Sequence, residues 1–221
     1  FVKIKSHLQE PVIFITEKND WAIKFVGKNI SNSINHKIPL LVKIISKPGY
    51  YKNKVVHFGS QYMWVDWFKI LPKNNFYIVS FFHGKKEDGI QVEEHINRFL
   101  ESIKYLSFIV VSSSIVKERL LKWGVPLKKI CLIPIGVNTD YFRPTKILKK
   151  NIVRKRYGIS KSELVIGSFQ KDGIGWGEGN IPKLIKGLDI FIKVISLLKN
   201  KGFNVTVFLT GPARGYVKKE L

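Results

Sequence analysis

A glycine-rich stretch in the last quarter of the chain is the strongest candidate for chemistry. It reads Lys171-Asp-Gly-Ile-Gly-Trp-Gly-Glu-Gly-Asn180 and lies between a short apolar run, 164–169, and a long amphipathic segment, 182–200. Glycine lets backbone amides approach an anion closely, and a helix that starts behind the loop adds a favourable dipole. We therefore predict that the glycines form a phosphate-binding loop, with a flexible surface loop as the alternative. The spacing does not match G-x-G-x-x-G, so no nicotinamide site is predicted.

His83 is the second candidate. It comes directly after the apolar run 76–82, and therefore at the carboxyl end of a predicted buried strand. Ligands of open α/β sheets bind at that end, although a histidine that only occupies a turn is the alternative. The other histidines (His7, His36, His57 and His95) have no metal-ligand spacing, so they are assigned no role and no metal is predicted.

Alternating strands and helices must position these residues. Continuous apolar runs predict strands at 12–16, 40–45, 54–58, 76–82, 107–112, 130–133, 164–169 and 203–209. Between several of these runs apolar residues recur every three or four positions, as in Ile23, Val26, Ile30 and Ile34, which is typical of amphipathic helices. Apolar strands that alternate with helices favour parallel sheets covered on both faces. The predicted fold class is α/β, with two Rossmann-like, doubly wound domains.

The composition is that of a globular chain with a large positive charge. Of 221 residues, 45% are hydrophobic, and 38 Lys and Arg against 16 Asp and Glu give a formal net charge of +22. Such a charge favours polyanions, namely nucleic acid, anionic lipid headgroups or phosphorylated substrates. The lysines are scattered, so a compositional bias without function is the alternative. The lone cysteine, Cys131, excludes an internal disulfide, and a cytoplasmic location is expected.

The segment 133–144 carries a resemblance to a known family. It reads Ile-Pro-Ile-Gly-Val-Asn-Thr-Asp-Tyr-Phe-Arg-Pro, and it resembles the I-P-x-G-V-D-x-x-x-F-x-P crossover of retaining, two-domain (GT-B) glycosyltransferases of family 4, also called group 1. Its prolines and glycine favour a corner between folded units. We predict an N-terminal, acceptor-side domain at 1–145 and the first part of a C-terminal, donor-binding domain at 146–221. About 70 residues are fewer than a complete doubly wound domain needs, so this fragment alone is expected to be inactive.

The resemblance implies a reaction and a set of site residues. Members of this group move a sugar from a nucleotide-diphosphate sugar to a hydroxyl acceptor, here a glycan or a lipid-linked one, with retention and without a metal or other cofactor. A basic residue after the first strand of the second domain and the lysine of a K-G-x-D motif bind the donor diphosphate. Lys171 takes the first position, and Lys186-Gly187-Leu188-Asp189 matches the motif. The loop glycines Gly173, Gly175 and Gly177 would line the diphosphate, and His83 would be the catalytic residue that contacts the sugar.

Two alternatives follow from the charge. A non-catalytic α/β protein that binds nucleic acid would bind more weakly as salt increases. No recognisable nucleic-acid module is present and the aromatic residues lie in apolar strands, so nucleic acid is not the predicted partner. Peripheral binding to the anionic inner face of a membrane stays open, because it is compatible with a lipid-linked acceptor.

Overall fold

The computed structural model describes residues 11–19, 22–174 and 177–221. The chain folds into two compact units, Phe1–Phe142 and Arg143–Leu221. The domain boundary after residue 145 stays a prediction. Gly175, one of the predicted loop glycines, lies outside the described residues.

A six-stranded sheet forms the centre of the first unit. Its strands are β1 (Val12–Ile15), β2 (Val42–Ile45), β3 (Val55–Phe58), β4 (Phe76–Phe81), β5 (Phe108–Val111) and β6 (Ile130–Leu132). The order across the sheet is β2-β1-β3-β4-β5-β6, and all neighbouring pairs are parallel. The order reverses between β1 and β3. Open α/β sheets bind ligands beyond the carboxyl ends of the strands at such a reversal.

Four helices pack with this sheet: α1 (Ala22–Lys37), α2 (Gln61–Trp67), α3 (Ile90–Ser102) and α4 (Ser114–Lys122). Serine side chains cap two of them. Ser60 Oγ accepts a hydrogen bond from the Tyr62 amide at the start of α2, and Ser113 Oγ accepts one from the Val116 amide at the start of α4. These caps satisfy amides that have no partner within the helix, so local sequence fixes where α2 and α4 begin.

Aromatic side chains fill the core of the first unit. Trp64, Phe58, Phe81 and Phe99 are all fully buried. The Trp64 indole packs edge-on against Phe58, with ring centroids 5.3 Å apart, and its Nε1 donates a 2.7 Å hydrogen bond to Ser102 Oγ. That bond satisfies the buried N–H and ties α2 to the end of α3.

His57 makes the first unit sensitive to acid. Its ring packs against Phe14, with centroids 4.6 Å apart, and Nε2 lies 2.9 Å from Ser80 Oγ. Burial lowers the pKa of His57 to about 4 from its ordinary 6.5. Between these values the unfolded chain binds a proton that the folded chain does not, so stability is full above pH 6.5 and falls as the pH drops toward 4.

We therefore predict that the titration of His57 lowers the free energy of unfolding by about 3 kcal/mol between pH 7.5 and pH 4. Urea unfolding of the wild type and of His57→Gln at both pH values measures the difference, because glutamine keeps a polar partner for Ser80 and cannot titrate. The same pH dependence in both proteins would contradict the assignment to His57.

The second unit contains a parallel strand pair and three helices within its described residues. The strands are β7 (Leu164–Ser168) and β8 (Val205–Leu209), and the helices are α5 (Ile147–Arg156), α6 (Leu188–Asn200) and α7 (Gly215–Glu220). The predicted helix at 182–200 is wrong at its start. Gly187 has φ 70°, a left-handed conformation that suits glycine, so Leu184–Lys186 form a separate 3₁₀ turn and α6 begins at Leu188.

Among the helices that the structure describes, none combines the length and the apolar character needed to cross a membrane.

Candidate functional site

The second unit has an open cleft where β7 ends and α6 begins. The cleft has a volume of about 490 Å³ and is lined by Gly167, Ser168, Phe169, Gln170, Gly187, Ile190 and Phe191. Phe169, at 70% exposure, presents an aromatic surface there. A cleft at the carboxyl end of a strand and beside a helix N-terminus is a common place for an anionic ligand in α/β folds.

Lys186 and Gly187 stand at the entrance to α6. The Lys186 side chain is exposed, and its backbone carbonyl accepts a 2.9 Å hydrogen bond from Gln170 Nε2. Gly187 is the N-cap residue, and its carbonyl accepts the first helical bond, from the Phe191 amide at 2.9 Å. The amides of the first turn carry the positive end of the helix dipole, so a helix N-terminus lies at the cleft, and Lys186 directly precedes its N-cap residue.

Gly173 and Gly177, two glycines of the predicted phosphate-binding loop, are not among the residues that line this cleft. Gly173 is buried, its amide donates to the Ala213 carbonyl at 3.1 Å, and a Cβ there would collide with the Gly179 backbone. Gly177 is exposed, with open space around the position of a Cβ. Of the described glycines predicted for the diphosphate, Gly187 lines the cleft. Close backbone packing is therefore one physical reason for glycine at 173, and whether the loop glycines line a diphosphate stays a prediction.

Lys171 follows β7 and is half-buried. It stands between Gln170, which lines the cleft, and Asp172, which is fully buried. The structure therefore brings Lys171, Lys186 and Gly187 into the same region of the second unit, after β7 and before α6. Whether Lys171 and Lys186 bind a diphosphate remains a prediction.

A buried ion pair beside this region was missed from the sequence. Arg214 Nε lies 2.8 Å from Asp172 Oδ2, and the residues are 5% and 0% exposed. Burial raises the pKa of Asp172, and the neighbouring Arg214 charge acts in the opposite direction. The positions of Asp172 and Arg214, each shortly after a strand, could have indicated this pair. The two strands, β7 and β8, are parallel neighbours in which Ser168 pairs with Leu209. Charged residues that follow such strands closely in sequence meet at one edge of the sheet.

In the first unit, His83 lies just beyond the carboxyl end of β4 and is exposed, as predicted from its position after an apolar run. Its backbone carbonyl accepts a 3.0 Å hydrogen bond from Gln61 Nε2, and the Gly84 carbonyl accepts one from Arg119 Nη1 at 3.1 Å. Side chains from α2 and α4 thus fix the backbone on both sides of this turn. Its catalytic role remains a prediction.

The Tyr62 ring lies near both His83 and His95, a histidine for which no role was predicted. The Tyr62 ring stacks on His95 with centroids 4.1 Å apart and lies 5.9 Å from the His83 ring. Burial lowers the pKa of His95 and, with a contribution from Asp88, raises the pKa of Tyr62. Among the described residues His95 Nε2 is buried without a hydrogen-bond partner. The Tyr62–His95 stack is therefore partly desolvated.

Glu17 is a further polar group at this edge of the sheet, two residues after β1. Its Oε2 atom is buried and has no hydrogen-bond partner within the described residues, and burial raises the pKa of the carboxyl group. The edge at the β1–β3 reversal is thus polar.

As for metals, the described residues contain no group of three or more His, Cys, Asp or Glu side chains that could hold an ion.

The fold of the chain is α/β of the GT-B type, with a parallel, helix-covered sheet, which confirms the predicted fold class. It is similar to crystal structures of Anabaena Alr3699/HepE. The complex of that protein with UDP-glucose has a TM-score of 0.62 at 13% identity, covering 95% of this chain and 64% of that chain. Its complex with UDP and glucose has a TM-score of 0.61 at 12% identity, covering 96% of this chain and 64% of that chain.

At these identities the likeness shows the fold alone. The chain spans 64% of the length of these two HepE chains. No protein-family model and no curated protein matches the sequence.

Proposed function

We propose that this chain carries the donor site of a nucleotide-sugar glycosyltransferase, and that the donor is a UDP-sugar. One observation carries the proposal: the cleft beside β7 opens at the N-terminus of α6, next to Lys186. A diphosphate is negatively charged, and a helix N-terminus favours negatively charged ligands. Support comes from the fold shared with Alr3699/HepE, whose crystal structures hold UDP or UDP-glucose, and from the crossover-like segment 133–144.

In this proposal the basic groups stabilise the leaving nucleotide. As the bond between the anomeric carbon and the β-phosphate oxygen breaks, its electron pair stays on UDP and negative charge develops there. In the proposal this charge is offset by Lys186, Lys171 and the amides of the first turn of α6. Preset positive groups contribute most where charge develops in the transition state. The acceptor hydroxyl oxygen forms the new bond to the anomeric carbon, and its proton passes to a β-phosphate oxygen of the departing UDP or to water.

Further parts of the proposal rest on the family resemblance of the sequence. Transfer proceeds with retention and needs no metal or other cofactor. His83 contacts the transferred sugar, and the acceptor is a glycan or a lipid-linked hydroxyl. The protein acts in the cytoplasm, and peripheral contact with an anionic membrane would bring it to a lipid-linked acceptor.

Calorimetric titration of the protein with UDP, UDP-glucose, UMP and glucose tests the proposal. We expect UDP and UDP-glucose to bind, and UMP to bind roughly tenfold or more weakly because it lacks the β-phosphate and one charge-assisted contact. Equal binding of UMP and UDP would contradict a diphosphate site. Binding of an RNA oligonucleotide that UDP does not displace, and that weakens steeply with salt, would favour the nucleic-acid alternative.

A further inference from the structure

The Arg214 guanidinium clamps the stretch that follows β7. Nη2 donates a 2.8 Å hydrogen bond to Ser168 Oγ, and Nη1 donates to the Gln170 carbonyl. Nε completes the set through its ion pair with Asp172. One planar group therefore contacts three alternate residues, 168, 170 and 172, at the exit of the strand.

The clamped stretch in turn holds the turn before α6. Gln170 donates its side-chain amide to the Lys186 carbonyl at 2.9 Å. The Asp172 carbonyl accepts a 2.8 Å bond from the Lys183 amide. The 3₁₀ turn that leads into α6 is thus fixed near both of its ends to residues that Arg214 contacts directly.

The backbone around Arg214 also packs against the glycine-rich loop. The Ala213 carbonyl accepts from Gly173 at 3.1 Å, and the amides of Gly215 and Tyr216 donate to the carbonyls of Glu178 and Gly179 at 2.8 and 3.0 Å. A Cβ on Gly179 would collide with the Ala213 backbone. Both ends of this loop are therefore attached to the segment 213–216.

A buried ion pair is a poor source of net stability, because desolvation offsets its attraction and apolar replacements are often as stable. What the arginine fork supplies here is direction, since its Nη1 and Nη2 donors hold Gln170 and Ser168 while Nε faces Asp172 as an ion pair. The Arg214 charge is already balanced by Asp172 and is 5% exposed. It is therefore placed to orient the site, whereas Lys186 is exposed and directly precedes Gly187, which lines the cleft.

We propose that Asp172 and Arg214 are positioning residues for the donor diphosphate, acting through Gln170 on the backbone of Lys186 and Gly187. This inference rests on the proposed function for its ligand. Its structural part, that Arg214 holds the turn before α6, is independent of any ligand.

The substitution Arg214→Lys tests this inference, because lysine keeps the charge opposite Asp172 but cannot reach three partners at once. Arg154→Lys is the matched control. Arg154 Nη1 donates to the carbonyls of Ser160 and Glu163 at 2.7 and 3.1 Å, so it is also an arginine clamp, at the start of β7. We expect Arg214→Lys to raise the Kd for UDP roughly tenfold or more, and Arg154→Lys to leave it within about twofold.

Gln170→Ala supplies a second readout. If Arg214 acts through Gln170, Gln170→Ala weakens UDP binding in the wild type and adds little in the Arg214→Lys background, so the two changes are not additive. Additive losses, or unchanged UDP affinity in Arg214→Lys, would overturn the inference. A general loss of stability would affect Arg214→Lys and Arg154→Lys alike. It would not lower the UDP affinity of one variant alone.

Amide exchange without ligand separates this inference from the proposed function. Arg214→Lys should speed exchange at the amides of Lys186 and Gly187, which bond to the carbonyls of Lys183 and Leu184, whereas Arg154→Lys should not. Unchanged exchange would overturn the positioning role. A wild-type protein that bound no UDP would instead overturn the proposed function and the diphosphate part of this inference, and exchange would still decide the role of Arg214 in holding the turn.

Discussion

Replacing Asp172 with alanine is expected to destabilise the second unit by about 3–5 kcal/mol, because a buried arginine would lose the group that balances its charge. Arg214 is 5% exposed and cannot recover that loss from water without moving. The two remaining hydrogen bonds of its guanidinium, to Ser168 and Gln170, would then hold an unbalanced charge in the interior. Asp172→Asn should cost less, since an amide keeps one acceptor near Nε.

Amide hydrogen exchange measures this effect separately in each unit. We expect protection in β7 and β8 to fall by roughly two to four orders of magnitude, while β4 and β5 of the first unit stay unchanged. Glu220→Ala is the matched control, because it removes an exposed carboxylate from α7 of the same unit. Equal protection of β7 in Asp172→Ala and Glu220→Ala would show that the pair does not stabilise this unit.

Reversing the charge at Lys186 is expected to have the largest effect on ligand binding. Lys186→Ala removes one charge-assisted contact with the diphosphate, which should weaken UDP binding by about 2 kcal/mol, or roughly 30-fold. Lys186→Glu adds repulsion between like charges, and the total loss should reach about 4 kcal/mol, or roughly a thousandfold. The side chain is exposed, so neither change should unfold the protein.

The control for this prediction is Lys199→Glu, which makes the same charge change in the last turn of α6, the helix that Lys186 precedes. It alters the net charge equally but lies at the opposite end of α6. Calorimetry with UDP should show little change for Lys199→Glu. A similar loss of affinity in both variants would mean that the net charge of the protein, and not a local contact, governs UDP binding.

The strands and most helices could be predicted because local pattern decides them. Val12–Ile15, Phe76–Phe81 and Phe108–Val111 lie within continuous apolar runs, and the parallel, two-sided sheet follows from such runs alternating with helices. Ser113 caps α4 as its position before an apolar segment indicates. In each case the signal and the structure it specifies lie within a few residues of each other.

The rest depends on contacts between distant parts of the chain. The start of α6 was placed too early, because a residue-by-residue pattern does not show that Gly187 adopts a left-handed conformation. The Asp172–Arg214 pair joins residues that follow different strands, and the packing of Gly173 against Ala213 depends on the same pairing. Gly173 therefore suggested a phosphate loop in the sequence, whereas its contacts in the structure give a packing reason for the glycine.

The edge of the first unit's sheet beyond β1 and β4 shows a similar limit. His83 could be selected because it follows an apolar strand, but Tyr62 and His95 lie on two helices and are brought together only by the packing of α2 and α3. The polar character of Glu17 becomes significant only when the sheet order places β1 beside β3. Strand order is a property of the whole sheet that apolar periodicity does not encode.

The most direct test of a donor site in the second unit is an NMR titration of the ¹⁵N-labelled protein with UDP, with UMP as the control. We predict that UDP shifts the amide signals of Gln170 and Gly187, which line the cleft, and of Lys186 and Leu188 on either side of Gly187. UMP should shift them less because it lacks the β-phosphate. Shifts that appear only outside this region, or no shifts at millimolar UDP, would contradict a donor diphosphate site at the N-terminus of α6.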